Sequence, residues 1–375
     1  MHKRVLLALG YLNIDLYHGI VKYAREAGWI LNTTMVHYGK IPVDWTGDGI
    51  LTFLIQSRKD LIEYVGGFDG AGVDFSMDVP EVDVARVIPD NYQAGVVGAK
   101  HLLARSHRDL VFVQFIDSYN VRTREEGFRT TAEMAGANYQ CWSWPEAAAA
   151  GETNWLDWLK AKLAAVETPL GILAQSDNRA ISVLTACEEL GIEVPEKMAV
   201  LGIDNNTISC DLAAVPLSSI DTDWYNMGYR GAAALDKIMH GSAKPKAPEL
   251  IAPRGVVLRK SSNRLAATLP LVKQALDFIW ENFHEPIVVE DVVEAMGVSR
   301  SVLYGAFKQD LDRSIADVIT QKRMEHAVNL LTHTKQRVHM VAMQCGYTGS
   351  EQFIRAFKRS HGCPPGKFRR QSNEG

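Results

Sequence analysis

Residues 288–308 read VVEDVVEAMGVSRSVLYGAFK, and residues 338–358 read VHMVAMQCGYTGSEQFIRAFK. Both stretches contain a central glycine, Gly297 or Gly346, and end in Phe-Lys, although the second has one extra residue after its glycine. Apolar residues recur at helical spacing on both sides of each glycine, which indicates two amphipathic helices joined by a turn. A helix-turn-helix unit that occurs twice is typical of a DNA-binding domain, and two plain helical hairpins are the alternative.

The segment between the two units predicts a long amphipathic helix over residues 315–331, with Ile315, Val318 and Met324 on its apolar side. Such a helix would fix the distance between the units, so that both second helices could enter successive major grooves, about 34 Å apart. Residues 264–375 carry 15 Lys and Arg against 12 Asp and Glu, and residues 322–370 carry 10 against 2. This local positive charge indicates a nucleic-acid or membrane surface, although a solvated helix face would also show it.

Ahead of residue 260, short apolar runs alternate with amphipathic segments. Strands are predicted at 5–9, 29–36, 49–55, 110–116, 170–174 and 199–203, and helices at 16–27, 94–103, 124–135, 180–190 and 225–240. This alternation predicts a doubly wound parallel α/β architecture, and about 250 residues suit two lobes. We therefore expect a two-lobed α/β domain over 1–260, a linker over 261–270 and an all-α domain with two helix-turn-helix units over 271–375.

The composition excludes disorder as the main state, because 47% of the 375 residues are apolar and 22% are charged. Five widely spaced cysteines without a C-x-x-C motif indicate reduced thiols in a cytoplasmic protein, not a disulfide framework or a zinc site. The apolar run at 5–9 is interpreted as a buried strand instead of a signal peptide, because Asn13 and Asp15 follow it closely. No nucleotide-binding, metal-ligand or nucleophile motif occurs, so we expect no cofactor, no metal and no catalytic residue.

The tail resembles the AraC-type transcription regulators over about residues 270–370. The resemblance is carried by the first unit, Lys322-Arg323-Met324 with Ala327, Val341-Ala-Met-Gln-Cys-Gly-Tyr347, Gln352-Phe-Ile-Arg-Ala-Phe-Lys358 and Pro364-Pro-Gly-Lys-Phe-Arg-Arg370. In that family the second helix of each unit lies in the major groove. The residues that this places at DNA are Arg300, Ser301 and Tyr304 in the first unit, and Ser350, Glu351, Gln352, Arg355 and Lys358 in the second. Gly305 departs from the polar or basic residue often found at its position, which removes a contact and costs about 1 kcal/mol of helix propensity.

The front 260 residues resemble the sugar-binding domains of LacI-type repressors and periplasmic binding proteins. The matching pieces are Val87-Ile-Pro-Asp-Asn91, Arg124-Glu-Glu-Gly-Phe128, Ser176-Asp-Asn-Arg-Ala180, Leu190-Gly-Ile-Glu-Val-Pro195 and Val200-Leu-Gly-Ile-Asp-Asn205. A sensor of this type ahead of an AraC-type reader is the arrangement of the xylose-operon regulators, which the whole chain resembles. The resemblance implies a sugar-responsive regulator, and specifically an activator, of an operon for xylose or another pentose.

A sugar site needs fixed carboxylates, amides and Arg side chains for hydroxyl groups, and aromatic rings for apolar ring faces. In a doubly wound sheet these groups belong just past the carboxyl ends of the strands. The candidate ligand-binding residues are Tyr11, Asn13, Asp15, Arg124, Trp142, Ser176, Asp204 and Thr222. By resemblance, Arg124 and Asp204 are the strongest anchors for hydroxyl groups. Core packing is the alternative for Trp142, and we expect Asp90 and Asp177 to cap helices.

The sequence thus predicts a cytoplasmic homodimer that binds a double-stranded DNA operator, a small sugar and RNA polymerase, and that contacts no membrane. Two alternatives belong to other classes. A sugar-transforming enzyme is one, because an Asp–Arg site can perform acid–base work. A sugar-binding receptor with an accessory helical domain is the other, but it leaves the basic helix-turn-helix tail unexplained.

Overall fold

The computed structural model describes the backbone of residues 2–373 and the side chains of residues 2–332 and 334–370. Two compact units follow one another along the chain, Met1–Arg264 and Leu265–Gly375. The first contains two six-stranded sheets with helices on their faces, and the second is helical. The expected fold class, a two-lobed α/β region followed by an all-α region, is therefore confirmed.

The elements of the first unit are, in chain order, β1 (Arg4–Leu9), α1 (Ile14–Ala27), β2 (Ile30–Asn32), α2 (Thr34–Tyr38), β3 (Gly49–Phe53), α3 (Lys59–Gly66), β4 (Ala71–Asp74), β5 (Ala85–Pro89), α4 (Asn91–Leu103), β6 (Asp109–Gln114), α5 (Tyr119–Met134), β7 (Asn138–Ser143), α6 (Trp144–Ala149), α7 (Trp155–Ala165), β8 (Leu170–Ala174), α8 (Asp177–Glu189), β9 (Met198–Ile203), α9 (Thr207–Leu212), β10 (Ser218–Asp221), α10 (Trp224–Met239), β11 (Glu249–Ile251), β12 (Gly255–Val257) and a 3-10 helix (Lys260–Ser262). The strand predicted at 29–36 is shorter than expected, because α2 begins at Thr34.

Each sheet forms the centre of one lobe. The order of strands is β11-β5-β4-β3-β1-β2 in lobe 1 and β12-β10-β9-β8-β6-β7 in lobe 2. Neighbouring strands are parallel, except that β12 runs antiparallel to β10. Strands β3, β8 and β9 are buried along their whole length, since helices cover both faces of each sheet. The carboxyl ends of the parallel strands in each sheet thus lie at one edge, where a ligand site is expected.

The chain passes between the lobes three times. It leaves lobe 1 after β5, returns after β10 to form α10 against the lobe 1 sheet, and leaves again between β11 and β12. At the second passage Asp223 has a φ of 56°, in the left-handed region that few non-glycine residues adopt. Three short connections allow two lobes to rotate relative to each other while both stay folded.

Each lobe also contains one pair of helices that pack with their backbones in contact. Helices α1 and α10 meet at Gly19 and Gly228, and helices α4 and α5 meet at Gly95 and Gly127. A Cβ atom added at any of these four glycines would lie between 2.0 and 2.1 Å from a carbonyl oxygen of the partner helix. Only glycine permits this approach, so each pair forms a stiff part of its lobe.

The second unit is built from α11 (Pro270–Asn282), α12 (Val289–Met296), α13 (Arg300–Leu311), α14 (Ile315–His333), α15 (Val338–Gln344), α16 (Ser350–His361) and α17 (Pro365–Asn373). Residues 261–270, predicted as a linker, are shared between the two units. The Ser261 hydroxyl donates to the carbonyl of Val200 at 2.6 Å, whereas Leu265 and Ala267 pack into the core of the second unit. In the described part of the chain, no helix is long and apolar enough to cross a membrane.

Candidate ligand cleft and candidate nucleic-acid interface

A buried ion pair joins Arg124 and Asp204 at the carboxyl-end edge of the lobe 2 sheet. Arg124 lies in the second turn of α5, and Asp204 directly follows β9. The Nη2 atom of Arg124 donates to Oδ1 of Asp204 at 3.1 Å, and both side chains are largely removed from solvent. The other edges of the guanidinium donate to Oδ1 of Asn91 at 2.8 Å and to the carbonyl of Gln175 at 2.7 Å. Arg124 therefore has one fixed position, in which its charge orients the Asp204 carboxylate.

Asp204 is held in an unusual backbone conformation, with φ at 106°. Burial raises the pKa of its carboxyl group, while the positive charge of Arg124 acts in the opposite direction. A non-glycine residue at positive φ is strained, and strained residues are common where a side chain must point into a site. Its oxygen atoms can accept hydrogen bonds from the hydroxyl groups of a ligand.

Asp177 adds a second carboxylate to this edge, and its role differs from the expected one. Asp90 caps α4 as predicted, but Asp177 does not cap α8, whose N-cap residue is Ser176. Instead, Oδ1 of Asp177 accepts from the Ser219 hydroxyl at 2.5 Å, and Oδ2 accepts from the backbone N–H of Asn206 at 2.7 Å. Burial, with the charge of Asp204 as a smaller cause, raises the pKa of Asp177 to about 7. Asp177 thus connects the start of α8 to strand β10 and to the loop after β9.

An aromatic wall on lobe 1 faces these carboxylates. The ring of Tyr11 lies 5.5 Å from that of Phe53 and 6.0 Å from that of Trp224, measured between centroids. Burial and the negative charges of Asp204 and Asp177 raise the pKa of the Tyr11 phenol to about 12. Tyr11 remains 40% exposed, so part of its ring is available to a ligand. The site therefore combines fixed charges on one lobe with aromatic surface on the other.

Two buried polar atoms near this wall have no partner among the described residues. They are the hydroxyl of Thr222 and the indole nitrogen Nε1 of Trp224, in side chains that are 1% and 5% exposed. Buried donors without a partner are costly unless a ligand or water satisfies them. The sequence predicted Thr222 but not Trp224, whose position at the start of a helix gives no signal of its own.

The remaining predicted residues are placed as follows. Oδ1 of Asn13 accepts from the backbone N–H groups of Asp15 and Leu16, so Asn13 caps α1. Asp15 is exposed, and Ser176 is half-buried with a hydroxyl that makes no capping bond. For Trp142 the structure favours the alternative, core packing, over contact with a ligand. Its indole is 3% exposed and packs within the hydrophobic core of lobe 2, which leaves no ring face for a sugar.

Sequence reasoning also missed Gln175 and the pair of Phe115 and Arg179. The Gln175 side chain accepts from the backbone N–H groups of Phe115 and Ile116, which fixes the loop after β6. The Arg179 guanidinium lies 3.4 Å from the centroid of the Phe115 ring. Gln175 also contacts Arg124 through its carbonyl, so these residues extend the same network. An amide that bonds backbone groups of another loop cannot be recognised from sequence spacing.

A cavity of about 690 Å³ opens between the two lobes, lined by Gln56, Lys59 and Asp78 of lobe 1 and by Tyr119 and Arg122 of lobe 2. It shares no residue with the predicted ligand set. A specific sugar site requires buried polar groups that converge, and these surround Arg124 and Asp204 instead. We therefore place the centre of the candidate site at the Arg124–Asp204 pair and not in this cavity.

In the helical part of the chain that follows Arg264, each of the two sequence repeats folds as two helices around a glycine in the left-handed region. Helices α12 and α13 flank Gly297 with φ at 63°, and α15 and α16 flank Gly346 with φ at 71°. On α16, Phe353 and Phe357 are fully buried. The opposite face is therefore free to meet a partner, as in a helix-turn-helix.

The predicted DNA-contacting residues lie on the outer faces of α13 and α16. All of them are exposed apart from Ser350, which is half-buried; the exposed ones are Arg300, Ser301, Tyr304, Glu351, Gln352, Arg355 and Lys358. Arg300 donates to the Tyr304 hydroxyl at 3.1 Å and pairs with Glu290 at 3.0 Å. A Cβ atom added at Gly305 would have no neighbour within 4 Å, so this position is open.

Two known families match parts of the chain. Residues 99–262 match the periplasmic binding protein-like domain, and residues 292–371 match a helix-turn-helix domain. The two matched regions contain Arg124 with Asp204, and α13 with α16, respectively.

Relatives similar along most of the chain are also known. A xylose operon regulatory protein of Escherichia coli K12 is 29% identical over 340 residues, which cover 88% of this chain and 86% of the relative. A xylose operon regulatory protein of Haemophilus influenzae is 34% identical over 223 residues, 58% of this chain and 57% of that relative. The solved structure of a xylose-binding transcription activator covers 98% of both chains with a TM-score of 0.63 and 26% identity.

Proposed function

We infer that this chain, a sugar-responsive transcription regulator homologous to the xylose operon regulatory proteins, binds xylose or another pentose between its two lobes and acts as an activator. The enzyme alternative is excluded, because the relatives that span the chain are regulators and the tail matches a helix-turn-helix domain. The observation that carries the effector class is the fixed Arg124–Asp204 pair, which lies opposite the aromatic ring of Tyr11.

In the proposed complex, the sugar hydroxyl groups bond to the two charged groups of lobe 2. The Asp204 carboxylate accepts from hydroxyl groups, and Arg124 donates while its contacts with Asn91 and Gln175 hold it in place. Charge-assisted hydrogen bonds of this kind are roughly twice as strong as neutral ones. Their geometry exists before the sugar arrives, which lowers the entropic cost of binding.

Lobe 1 and the second passage between the lobes supply the other side of the proposed site. The Tyr11 ring packs against the apolar face of the sugar, and the free hydroxyl of Thr222 bonds to it. The indole N–H of Trp224 is the further donor. Ser176 contributes its hydroxyl, which makes no capping bond, and Asn13 contributes its amide nitrogen, because its oxygen caps α1. Asp15, which is exposed, is proposed to lie at the rim of the site.

The proposed DNA contacts follow from the exposed faces of α13 and α16. Gln352 and Arg355 are proposed to bond to base edges, because Gln and Arg form bidentate contacts with adenine and guanine. Arg300 and Lys358 are proposed to contact phosphate groups, whose charge dominates affinity. The proposed operator is double-stranded DNA, since α14 connects the two helix-turn-helix units and α13 and α16 could then enter successive major grooves.

Further parts of the proposal concern the cell and the assembly. A regulator that binds an operator acts in the cytoplasm of a bacterium. A homodimer would place four recognition helices on DNA, and linking binding modules in this way raises overall affinity by about 10²–10⁴. An activator must also meet RNA polymerase, which is the third proposed partner.

A thermal-shift screen tests the effector class, because a ligand of the folded state raises its apparent stability. The full chain is heated with D-xylose, L-arabinose, D-ribose, D-glucose and D-galactose. We expect one pentose to stabilise it by about 2.7 kcal/mol at a concentration of 100 Kd. The same sugar should change a gel shift on DNA from upstream of the gene. Stabilisation by hexoses alone would contradict the pentose proposal.

A further inference from the structure

We propose that Arg323 is a clamp that holds the two helix-turn-helix units at one fixed separation, and that this separation sets the operator spacing that the chain accepts. The inference rests on the proposed DNA-binding function and adds a positioning residue to it. Arg323 is not among the residues predicted to meet DNA, and its guanidinium donors are directed at carbonyl groups of the protein.

The two helix-turn-helix units, α12–α13 and α15–α16, have separate hydrophobic cores, and α14 is the element that belongs to both. Ile315, Val318 and Ile319, near its start, pack into the core of the first unit. Met324, Ala327 and Leu331, near its end, pack into the core of the second. Arg323 lies at the change between the two sets. A helix that connects two cores can bend between them, so a fixed separation requires a further contact at this point.

Arg323 provides this contact to the first helix-turn-helix unit. Its Nε atom donates to the carbonyl of Phe283 at 3.0 Å, and its Nη2 atom donates to the carbonyls of Glu285 at 2.7 Å and Ile287 at 3.0 Å. These three carbonyls belong to the loop between α11 and α12. Hydrogen bonds from a charged donor are stronger than neutral ones, and three of them restrain the loop in one conformation.

The turn between α15 and α16, in the second helix-turn-helix unit, meets the same loop between α11 and α12. The Arg323 guanidinium lies 5.4 Å from the centroid of the Tyr347 ring, a cation–π contact. A Cβ atom added at Gly346 would lie 2.4 Å from the carbonyl oxygens of both Phe283 and Glu285. The turn of one helix-turn-helix unit therefore touches the loop of the other, and Arg323 bonds to the loop and packs on the turn at once.

Loss of the guanidinium would leave three loop carbonyls without this donor and would remove the cation–π contact. The two units would then be connected mainly through the backbone of α14. Each recognition helix would keep its own affinity for DNA, but the second would no longer be presented in register with the first. The gain that comes from binding two linked sites depends on this register.

Binding to spaced operators tests the proposal with the full chain. An operator is first selected from random duplex DNA by the wild-type chain, and one to five base pairs are then inserted between its two contacted sites. Five base pairs correspond to about half a helical turn, so wild-type affinity should fall about 100-fold. Arg323→Ala should bind the original operator about 10–100-fold more weakly, vary less than about 3-fold with spacing, and bind each single site as wild type does.

Two outcomes would overturn the clamp. One is a spacing profile of Arg323→Ala that remains as sharp as that of the wild type. The other is equal weakening on the operator and on single sites, which would mean a merely structural role. Arg323→Lys, which keeps the charge but has a single donor group, should show an intermediate profile. Lys273→Ala is the control, because Lys273 is an exposed cation on α11, outside the loop that Arg323 contacts, and its profile should equal that of the wild type.

A distance measurement keeps the clamp testable without DNA. Spin labels are attached to Gln309→Cys and Arg359→Cys, both exposed, in a chain that also carries Cys141→Ser and Cys363→Ser. The distribution of label distances should be narrow with Arg323 present and broad with Arg323→Ala, and equal widths would overturn the clamp. If the wild-type chain selects no duplex DNA, the proposed function is wrong, while these widths still decide whether Arg323 fixes the separation.

Discussion

Replacing Asp204 with alanine should abolish the sugar response while the chain stays folded and binds DNA. The substitution removes a buried carboxylate that Arg124 orients at 3.1 Å. In the proposed complex, the sugar hydroxyl groups would then be left without an acceptor in a partly dry cleft. The expected loss of binding free energy is about 2–4 kcal/mol, which corresponds to about 30-fold to 1,000-fold in Kd.

The same substitution has a cost for folding that must be separated from the loss of binding. Removing one partner of a buried ion pair usually costs about 3–5 kcal/mol. Here the cost should be smaller, about 1–3 kcal/mol, because Arg124 keeps its bonds to Asn91 and Gln175 and because burial already raises the pKa of Asp204. Asp204→Asn should cost less again, since Asn tolerates positive φ and retains one acceptor oxygen.

Calorimetric titration of the stabilising sugar, paired with thermal melts of the sugar-free variants, distinguishes the two effects. Asp117→Asn is the matched control, because Asp117 pairs with Arg122 on the surface, where an ion pair contributes about 0–1 kcal/mol. It should leave the sugar affinity unchanged. A folded Asp204→Ala variant with wild-type sugar affinity would refute the assignment of Asp204 to the site.

Three further predictions concern other parts of the molecule. The pKa of Asp177 is raised to about 7 in the folded state, so its contribution to stability is complete below about pH 4 and is lost as the pH rises through 7, by at most about 4 kcal/mol. Asp177→Asn should therefore flatten the pH dependence of the free energy of unfolding in urea between these pH values, and an unchanged slope would contradict the prediction. Arg355→Ala should lower affinity for the selected operator by about 1–3 kcal/mol and for random DNA much less, as measured by fluorescence anisotropy, and equal losses would make Arg355 a phosphate contact. Gly127→Ala should destabilise the chain by more than about 2 kcal/mol in urea unfolding, because the added Cβ would lie 2.1 Å from a carbonyl oxygen of α4. The control Gly305→Ala, at an open helical position, should stabilise the chain by up to about 1 kcal/mol, and similar values for the two variants would contradict the close helix packing.

Apart from β2, the strands that the sequence predicted are largely buried on both faces. Strands β1, β3, β8 and β9 are continuous apolar runs, and such runs are recognisable without any knowledge of partners. Strand β10 was missed because Ser218 and Ser219 are polar yet fully buried. They are compatible with the core only because the Ser218 hydroxyl bonds to the backbone of Arg259 and the Ser219 hydroxyl bonds to Asp177, both of which are distant in sequence. A polar strand of this kind is recognisable only once its partners are in place.

The residues of the candidate site also fall into those that the sequence could predict and those that it could not. Asp204 was predictable because it directly follows an apolar strand, and strand ends in a doubly wound sheet carry ligand groups. Trp142 was misplaced because residues on an edge strand alternate between core and surface, and the sequence does not tell which side faces the cleft. Gln175 and Trp224 were not predicted at all. Their roles depend on which loop or helix lies next to them, which is a property of the fold and not of the local pattern.

The distribution of the site over two lobes determines how a sugar could produce a signal. The segment that ends the two-lobed part of the chain, Met1–Arg264, belongs to lobe 2, since β12 pairs with β10 and Ser261 bonds to Val200. Arg124 and Asp204 also belong to lobe 2 and are fixed to each other. A sugar that contacted them alone would bind open and closed arrangements equally, and such a ligand shifts no equilibrium. The response must therefore come from lobe 1 and the passage that leads to it, through Tyr11, Thr222 and Trp224. Because the glycine-packed helix pairs stiffen each lobe, contacts made there would move lobe 1 as one body about the three connections.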